Sequence, residues 1–454
     1  MNELKIGFAE TKVNPPLYYP LHGYYMERLG QGFLDDLLAS ALAIECRGKR
    51  ALLISVDNGG FQQTVIKKFA DAIAEKTKIG RDAIMISATH SHTAPSCFYP
   101  EFFDANKEHI DAYISFLCEK LALISKEAID DLMPSEMGYG VGHAPDRVAY
   151  IRRYKMKDGT SCTCPPINDE NIDGPIGELD QRIGILRFKR ENAPDVVIMN
   201  YGVHADTVNG DLYSSDWIGW TRKTVALALD GTKCMCIMGA QGDVGSTNVH
   251  PLPGDMNDTE ISFDNEMKSP GMARFVGRAL AGVILQVYDK VAFEPVESIE
   301  FLTESLPVKM NIPEKSDMPL ARKYKQLYES GRSEQIPYTG MELTTVVAEA
   351  LRMCKMENDP DTTYLNMSGL RIGKVAFIGI PGEPFTDIGV KIKETEGYGL
   401  ILPAAITGGY EGYFPVKSAF DEGGYEARTS PYKSGVAEAI VSSAKAILSK
   451  LKLS

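Results

Sequence analysis

Apolar and polar stretches alternate along the 454 residues so regularly that the chain divides into short buried strands and amphipathic helices with no linker between them. Residues 39–46 and 50–56 are apolar runs joined at Gly48-Lys49, and the second ends in Asp57-Asn58-Gly59-Gly60. Val65, Ile66, Phe69, Ala72 and Ile73 then recur at helical spacing over 62–77. The chain returns to a third apolar run, Ile84-Met85-Ile86-Ser87-Ala88, which leads into Thr89-His90-Ser91-His92. Strand, crossover helix and strand make a parallel pair.

The same patterning predicts a helix over 106–130, a glycine-rich strand over 136–142, and strands over 182–189 and 195–201. A helix over 217–229 leads to a strand through Cys234-Met235-Cys236-Ile237. Helices over 270–288, 317–331 and 341–356 precede or separate strands over 296–310, 364–371, 374–380 and 399–403, and a helix over 431–451 closes the chain. The polar, proline-bearing region 157–180 reads as a long surface loop, a length that usually carries function. The fold class that follows is α/β, with mixed, partly parallel sheets flanked by helices.

The chemistry-bearing residues sit where these strands end. Residues i and i+2 of a strand point the same way, roughly 6.5 to 7 Å apart at the backbone, so His90 and His92 can reach one metal ion or an ion and its water. Pro95 marks the end of that strand, which puts both histidines at its carboxyl-end mouth. His204 follows the 195–201 strand in Gly202-Val203-His204-Ala205-Asp206, and Glu383 follows the 374–380 strand in Pro381-Gly382-Glu383-Pro384. A glutamate there is also what a first helical turn favours. The turn Gly239 to Asn248 is glycine-rich enough to expose several backbone N–H groups, as an anion nest or as a bare tight turn. Tyr410 and Tyr413 share the loop 408–415, and pattern alone does not choose between them.

Composition narrows the partners. With 44% apolar and 24% charged residues the chain is an ordinary globular one. A net charge of −13, with basic runs no longer than Lys67-Lys68 and Arg152-Arg153, opposes nucleic acid and anionic membrane surfaces alike. No stretch approaches the ~18 consecutive apolar residues of a spanning helix, and the N-terminus has no leader-like run. The expected setting is therefore cytoplasmic, without stable membrane association. Eight sparse cysteines fit that compartment. Cys234 and Cys236 read as core, and Cys162-Thr163-Cys164 lacks the second pair of ligands a structural zinc site needs.

Taken together, Gly7-Phe8-Ala9 through Asn14-Pro15-Pro16 with Gly23, Asp57, Thr89-His90-Ser91-His92, Asn200 through His204, Gly242-Asp243-Val244, Pro381-Gly382-Glu383, and Gly412-Tyr413 with Tyr425-Glu426 resemble, in order, the neutral/alkaline ceramidase family. The resemblance covers the N-terminal catalytic domain, so residues 1–454 are expected to be one such domain without the family's C-terminal β-sandwich. It implies a zinc amidohydrolase whose Zn²⁺ is held by His90, His204, Glu383 and Tyr413. His92 would contact the bound water or substrate, and Tyr425 would hydrogen-bond the reacting carbonyl. Asp57 or Asp206 would orient a ligand imidazole, and His22 would lie near the substrate.

Two departures qualify that picture. The family serine that follows its Gly-Asp-Val turn is replaced by Gly245, with Ser246 one position later. The segment 146–153 is only loosely like the family's arginine-bearing motif, leaving Arg147, Arg152 and Arg153 as candidates for a substrate carboxylate or phosphate. The expected function is hydrolysis of an amide or related carbonyl bond in a small soluble molecule by zinc-activated water. The alternative is isomerisation or epimerisation of a polar sugar acid in the same cage. His109, His143 and His250 have no partner at ligand spacing.

Overall fold

The computed structural model describes residues 3–98, 107–252 and 268–452. Among them, nine strands form the main sheet. Its order is Lys233–Met238, Val196–Tyr201, Arg182–Arg190, Met133–His143, Leu4–Lys12, Leu38–Cys46, Lys49–Val56 and Ile84–Ala88, with Ala292–Glu294 added beside Met133–His143. Neighbours are antiparallel except at the two ends, where Lys49–Val56 runs parallel to Ile84–Ala88 and Val196–Tyr201 parallel to Lys233–Met238. A four-stranded sheet of Ile299–Lys309, Thr362–Ile372, Val375–Gly379 and Leu400–Ala404 again ends in a parallel pair.

Each parallel pair encloses a helix, as right-handed crossovers require. Gln63–Thr77 buries Val65, Phe69, Ala70 and Ile73 on one face and stops at Lys78, which adopts the left-handed conformation at φ 63°. Asp216–Ala228 and Thr386–Lys393 serve the other two pairs. The three units are stitched together at their carboxyl ends by the segment after Ala404. Ala405 N–H donates to the Met238 carbonyl at 2.9 Å, Ala88 N–H to the Ile406 carbonyl at 3.1 Å and Gly408 N–H to the Ile86 carbonyl at 2.9 Å. The buried Asn200 amide donates to the carbonyls of Ile237 and Pro403 at 3.0 and 2.9 Å. Three strand mouths from two sheets therefore open onto one place.

One apolar cluster fills the main sheet and its helices, and a second lies between the four-stranded sheet and the C-terminal helix Val436–Leu451. Gly369 sits where an added Cβ would come within 2.4 Å of the Ile447 side chain, so the sheet and that helix pack closely at a glycine.

The region 157–180 differs from expectation. It is not an open loop: Arg153–Met156, Ser161–Thr163 and Ile172–Pro175 pair as a small antiparallel sheet. The signal was local, an Asp158-Gly159 turn with Gly159 at φ 88° and the Asp158 carboxylate accepting from Thr160 N–H at 2.9 Å. The last helix begins at Val436 and not at 431, because Gly435 before it is left-handed at φ 104°. The helix expected from 106 is described from Lys107 to Asp130, residue 106 lying outside the described residues. No described helix is long and apolar enough to cross a membrane.

Candidate metal centre

His90 stands two residues beyond its strand, at φ 60°, a conformation uncommon for a side chain of this size. Its N–H donates to the Asn58 carbonyl at 2.9 Å, and its Nδ1 lies 2.5 Å from the Gly59 carbonyl. A carbonyl only accepts, so Nδ1 carries the proton and the Nε2 lone pair faces inward. His204 repeats the device: its Nδ1 donates to the Val244 carbonyl at 2.9 Å, leaving Nε2 inward. Both rings are about 1% exposed, and Trp217 Nε1 donates to the His204 carbonyl at 3.1 Å.

Between the two Nε2 atoms stands Glu383, fully buried, with Oε2 at 2.8 Å from His204 Nε2 and 3.5 Å from His90 Nε2. Oε2 has no hydrogen-bond donor, whereas Oε1 accepts from the Tyr410 hydroxyl at 2.8 Å. His92 Nε2 lies 3.4 Å from His90 Nε2. One ligand atom from each of His90, His92 and His204 lies within 4.8 Å of the others, so this buried triad can hold a metal ion. Two ligands at ~2.0 to 2.2 Å from a tetrahedral ion are roughly 3.4 Å apart. The 3.4 and 3.5 Å separations match that, and the 2.8 Å one is tighter. An inward cluster of lone pairs with one unsatisfied carboxylate oxygen is what a divalent cation would satisfy.

Burial would raise the Glu383 carboxyl, but the charges and hydrogen-bond positions of His90 and His204 hold it well below the usual range. Burial also opposes charge on the imidazoles. His204 is lowered further by Arg152, and His92 by the charges of His90 and His204. Of the three imidazoles only His90 is raised: burial, the largest single effect, lowers it, and the charge of Glu383, its hydrogen bond and the Gly59 carbonyl together outweigh that.

Arg152 lines the other side. Its Nε donates to Glu426 Oε1 at 2.7 Å, and Nη2 donates to the Gly242 carbonyl at 2.9 Å and to the Tyr413 hydroxyl oxygen at 3.0 Å. Its Nη1 comes within 3.4 Å of His204 Nε2. Glu426 is positioned in turn by the Thr163 hydroxyl at 2.7 Å, so the small antiparallel sheet supports this arginine. Tyr413 pairs with Glu383 in a two-residue parallel bridge, Glu383–Pro384 against Tyr413–Phe414. Burial and Glu383 raise its phenol well above the ordinary value, the Arg152 charge opposing them.

The remaining candidates fall into distinct places. Asp206 Oδ1 lies 3.4 Å from His92 Nδ1, accepts from the Tyr24 hydroxyl at 3.0 Å, and Oδ2 pairs with Lys268 at 3.0 Å. His22 packs its ring 5.6 Å from His90 and 5.7 Å from Tyr410. Tyr425 donates to the Tyr25 hydroxyl at 3.3 Å, with its ring 5.7 Å from Tyr413. Ser246 lines a small cleft with Arg152, His204, Asp206 and Lys268. Asp57 does not meet an imidazole: it accepts from Arg222 and from Leu38 N–H, and the Gly59 carbonyl orients His90 instead. Arg153 donates to Glu422 at 3.0 Å and to the Gly423 carbonyl and lies behind Arg152, its Nε 3.8 Å from the far oxygen of the same Glu426. Arg147 occupies a left-handed turn at φ 75°, five residues before Arg152. Tyr24, Tyr25, Lys268 and Arg222 were not singled out by sequence reasoning, since none has a motif spacing. Glu426 was visible beside Tyr425.

The chain has the fold of a crystal structure of neutral ceramidase from Pseudomonas aeruginosa, at TM-score 0.70 and 17% identity over 100% of this chain and 76% of that one. A structure described as ceramidase complexed with C2 aligns at TM-score 0.72, again with 17% identity over 100% and 76% of the two chains. No family model and no curated protein matches the sequence.

Proposed function

We propose, from the fold shared with neutral ceramidase and from the inward lone pairs of His90 and His204 facing an unsatisfied Glu383 oxygen, that this chain is a zinc-dependent hydrolase of an amide or related carbonyl bond. His90, His204, Glu383 and Tyr413 would hold the ion, with His92 beside it. The bound ion would supply an acidified water, its pKa lowered from 15.7 to roughly 7, and polarisation of a carbonyl.

The chain's own residues do the rest. His92, kept neutral by burial, has Nε2 turned toward the ligand cluster and Nδ1 near Asp206, so it is placed to take a proton from a water and return it to a leaving amine. Arg152 donates to the Tyr413 oxygen, which favours the phenolate form of a ligand tyrosine. Tyr425, whose hydroxyl meets Tyr25 and whose ring packs on Tyr413, would hydrogen-bond the reacting carbonyl. Arg152 and Lys268 reach the cleft beside His204, each already paired with a carboxylate, Glu426 and Asp206, and would share those contacts with a carboxylate or phosphate on a small polar substrate.

The replacement of the family serine by Gly245 favours the second reading, isomerisation or epimerisation of a sugar acid, and product identification separates the two. The direct test incubates zinc-loaded protein with soluble N-acyl amino acids, uronates and detergent-dispersed ceramide. Hydrolysis of a soluble amide, abolished in His90→Ala, is expected. Efficient ceramide cleavage unmatched by any soluble compound would sink the small-substrate reading and direct attention to Leu17, Tyr18 and Met26, exposed apolar side chains on the segment that also carries Tyr24 and Tyr25.

A further inference from the structure

A cavity of about 480 Å³ opens between the helix Asp216–Ala228, the start of the helix Pro270–Tyr288 and residues 34–38. That volume is in the range of small-molecule sites, and no residue of its wall belongs to the imidazole cluster. Leu34, Leu38, Val208, Ala226, Cys234 and Ala273 make much of the wall apolar.

Most charged groups in that wall are already engaged. Glu10 pairs with Lys233 at 2.7 Å, Arg222 with Asp57 at 2.5 Å and Asp36 with Lys12 at 2.7 Å. Asp35 accepts from the Ser214 hydroxyl at 2.6 Å and from Ser215 N–H at 2.7 Å, with the Ser215 hydroxyl on the same oxygen as that N–H. Lys223 is different. It is exposed, and it shares the half-buried Trp220 indole, also in that wall, with Arg278 and Arg274, which lie outside the wall on the next helix; the three stand 5.1, 5.4 and 5.9 Å from the ring centroid. Among the described residues none of these three cations forms an ion pair. Each gains only a weak attraction from the ring at an exposed site, and the three repel one another. An anion would relieve that repulsion.

We propose that this cavity is a second binding site, separate from the metal centre, for a small amphiphilic anion: an apolar tail among Leu34, Leu38, Val208 and Ala273, and a carboxylate or phosphate head on Lys223, Arg278 and Arg274 beside Trp220.

The chain has two tryptophans, Trp217 and Trp220, which makes emission a local reporter. Metal-loaded protein is titrated with decanoate and with decyl phosphate below their micellar concentrations, with decanol as the uncharged probe, by fluorescence and by calorimetry. Both anions should give saturable binding, and their relative affinity identifies the preferred head. Trp220→Phe should lose the emission change while Trp217 still emits. The double variant K223E/R278E, with an unchanged thermal midpoint, should bind at least about tenfold more weakly by calorimetry. His204→Ala should bind as the wild type does. Equal binding of decanol, unchanged binding by K223E/R278E, or loss of binding in His204→Ala would each overturn the proposal, the last by showing that the anion enters the metal centre.

Discussion

At the scale of the residue, Glu383 decides most. Its buried Oε2 faces two imidazole lone pairs with no donor, so its negative charge is tolerable only with a cation or a proton among them. Glu383→Gln keeps the shape and removes the charge, and metal content after dialysis should fall, with affinity lowered by more than about tenfold. His204→Ala should lose the metal outright, and full stoichiometry in that variant would refute the ligand set. His22 offers a readout in pH. Burial, then the charge of His90, lowers its pKa to about 3, below the 6.5 of an unfolded histidine. The unfolded chain therefore binds the extra proton between those values, and stability falls as pH drops through 6.5 toward 3. In thermal scans His22→Gln should lose stability less steeply than the wild type over that window.

At the scale of the element, the centre depends on how strand ends are held. Arg222, from the helix Asp216–Ala228, forms an ion pair with the fully buried Asp57 at the end of Lys49–Val56, just before the two carbonyls that hold His90. Arg222→Met would strand a buried carboxylate and should destabilise the protein by about 3 to 5 kcal/mol, which chemical denaturation measures. Gly23 acts from the other side. It lies at φ 101°, and a Cβ there would come within 2.5 Å of the His92 ring. Gly23→Ala should therefore lower turnover far more than it lowers metal content, because it displaces His92 and none of the four proposed ligands. Equal loss of both would place His92 among the ligands.

At the scale of the molecule, two sheets are joined where they carry chemistry. Each parallel pair delivers its carboxyl end to the same place, and the segment after Ala404 ties Ala88 and Met238 to it through backbone bonds. That arrangement makes the centre the product of three separate strand-helix-strand units, brought from positions 90, 204 and 383. It also leaves a cavity behind the helix Asp216–Ala228, with cations at Trp220 despite the net charge of −13.

Much of this was legible in the chain alone. Hydrophobic periodicity determined the α/β class and most strands, because a side chain's burial repeats at 2 or 3.6 residues whatever it later packs against. Strand ends marked His90, His92, His204 and Glu383, since apolar runs stop where polar chemistry begins. Tertiary structure alone decided which ring nitrogens face inward, because the carbonyls of Gly59 and Val244 that set them are contributed from 31 and 40 residues away. It also separated Tyr410, which donates to Glu383, from Tyr413, which accepts from Arg152. It turned Arg152 toward the centre and set Arg153 behind it on the far oxygen of the same Glu426, a partner supplied from far along the chain. It sent Asp57 to Arg222 instead of an imidazole, because a carboxylate's partner depends on which helix crosses it, and no local pattern records that crossing.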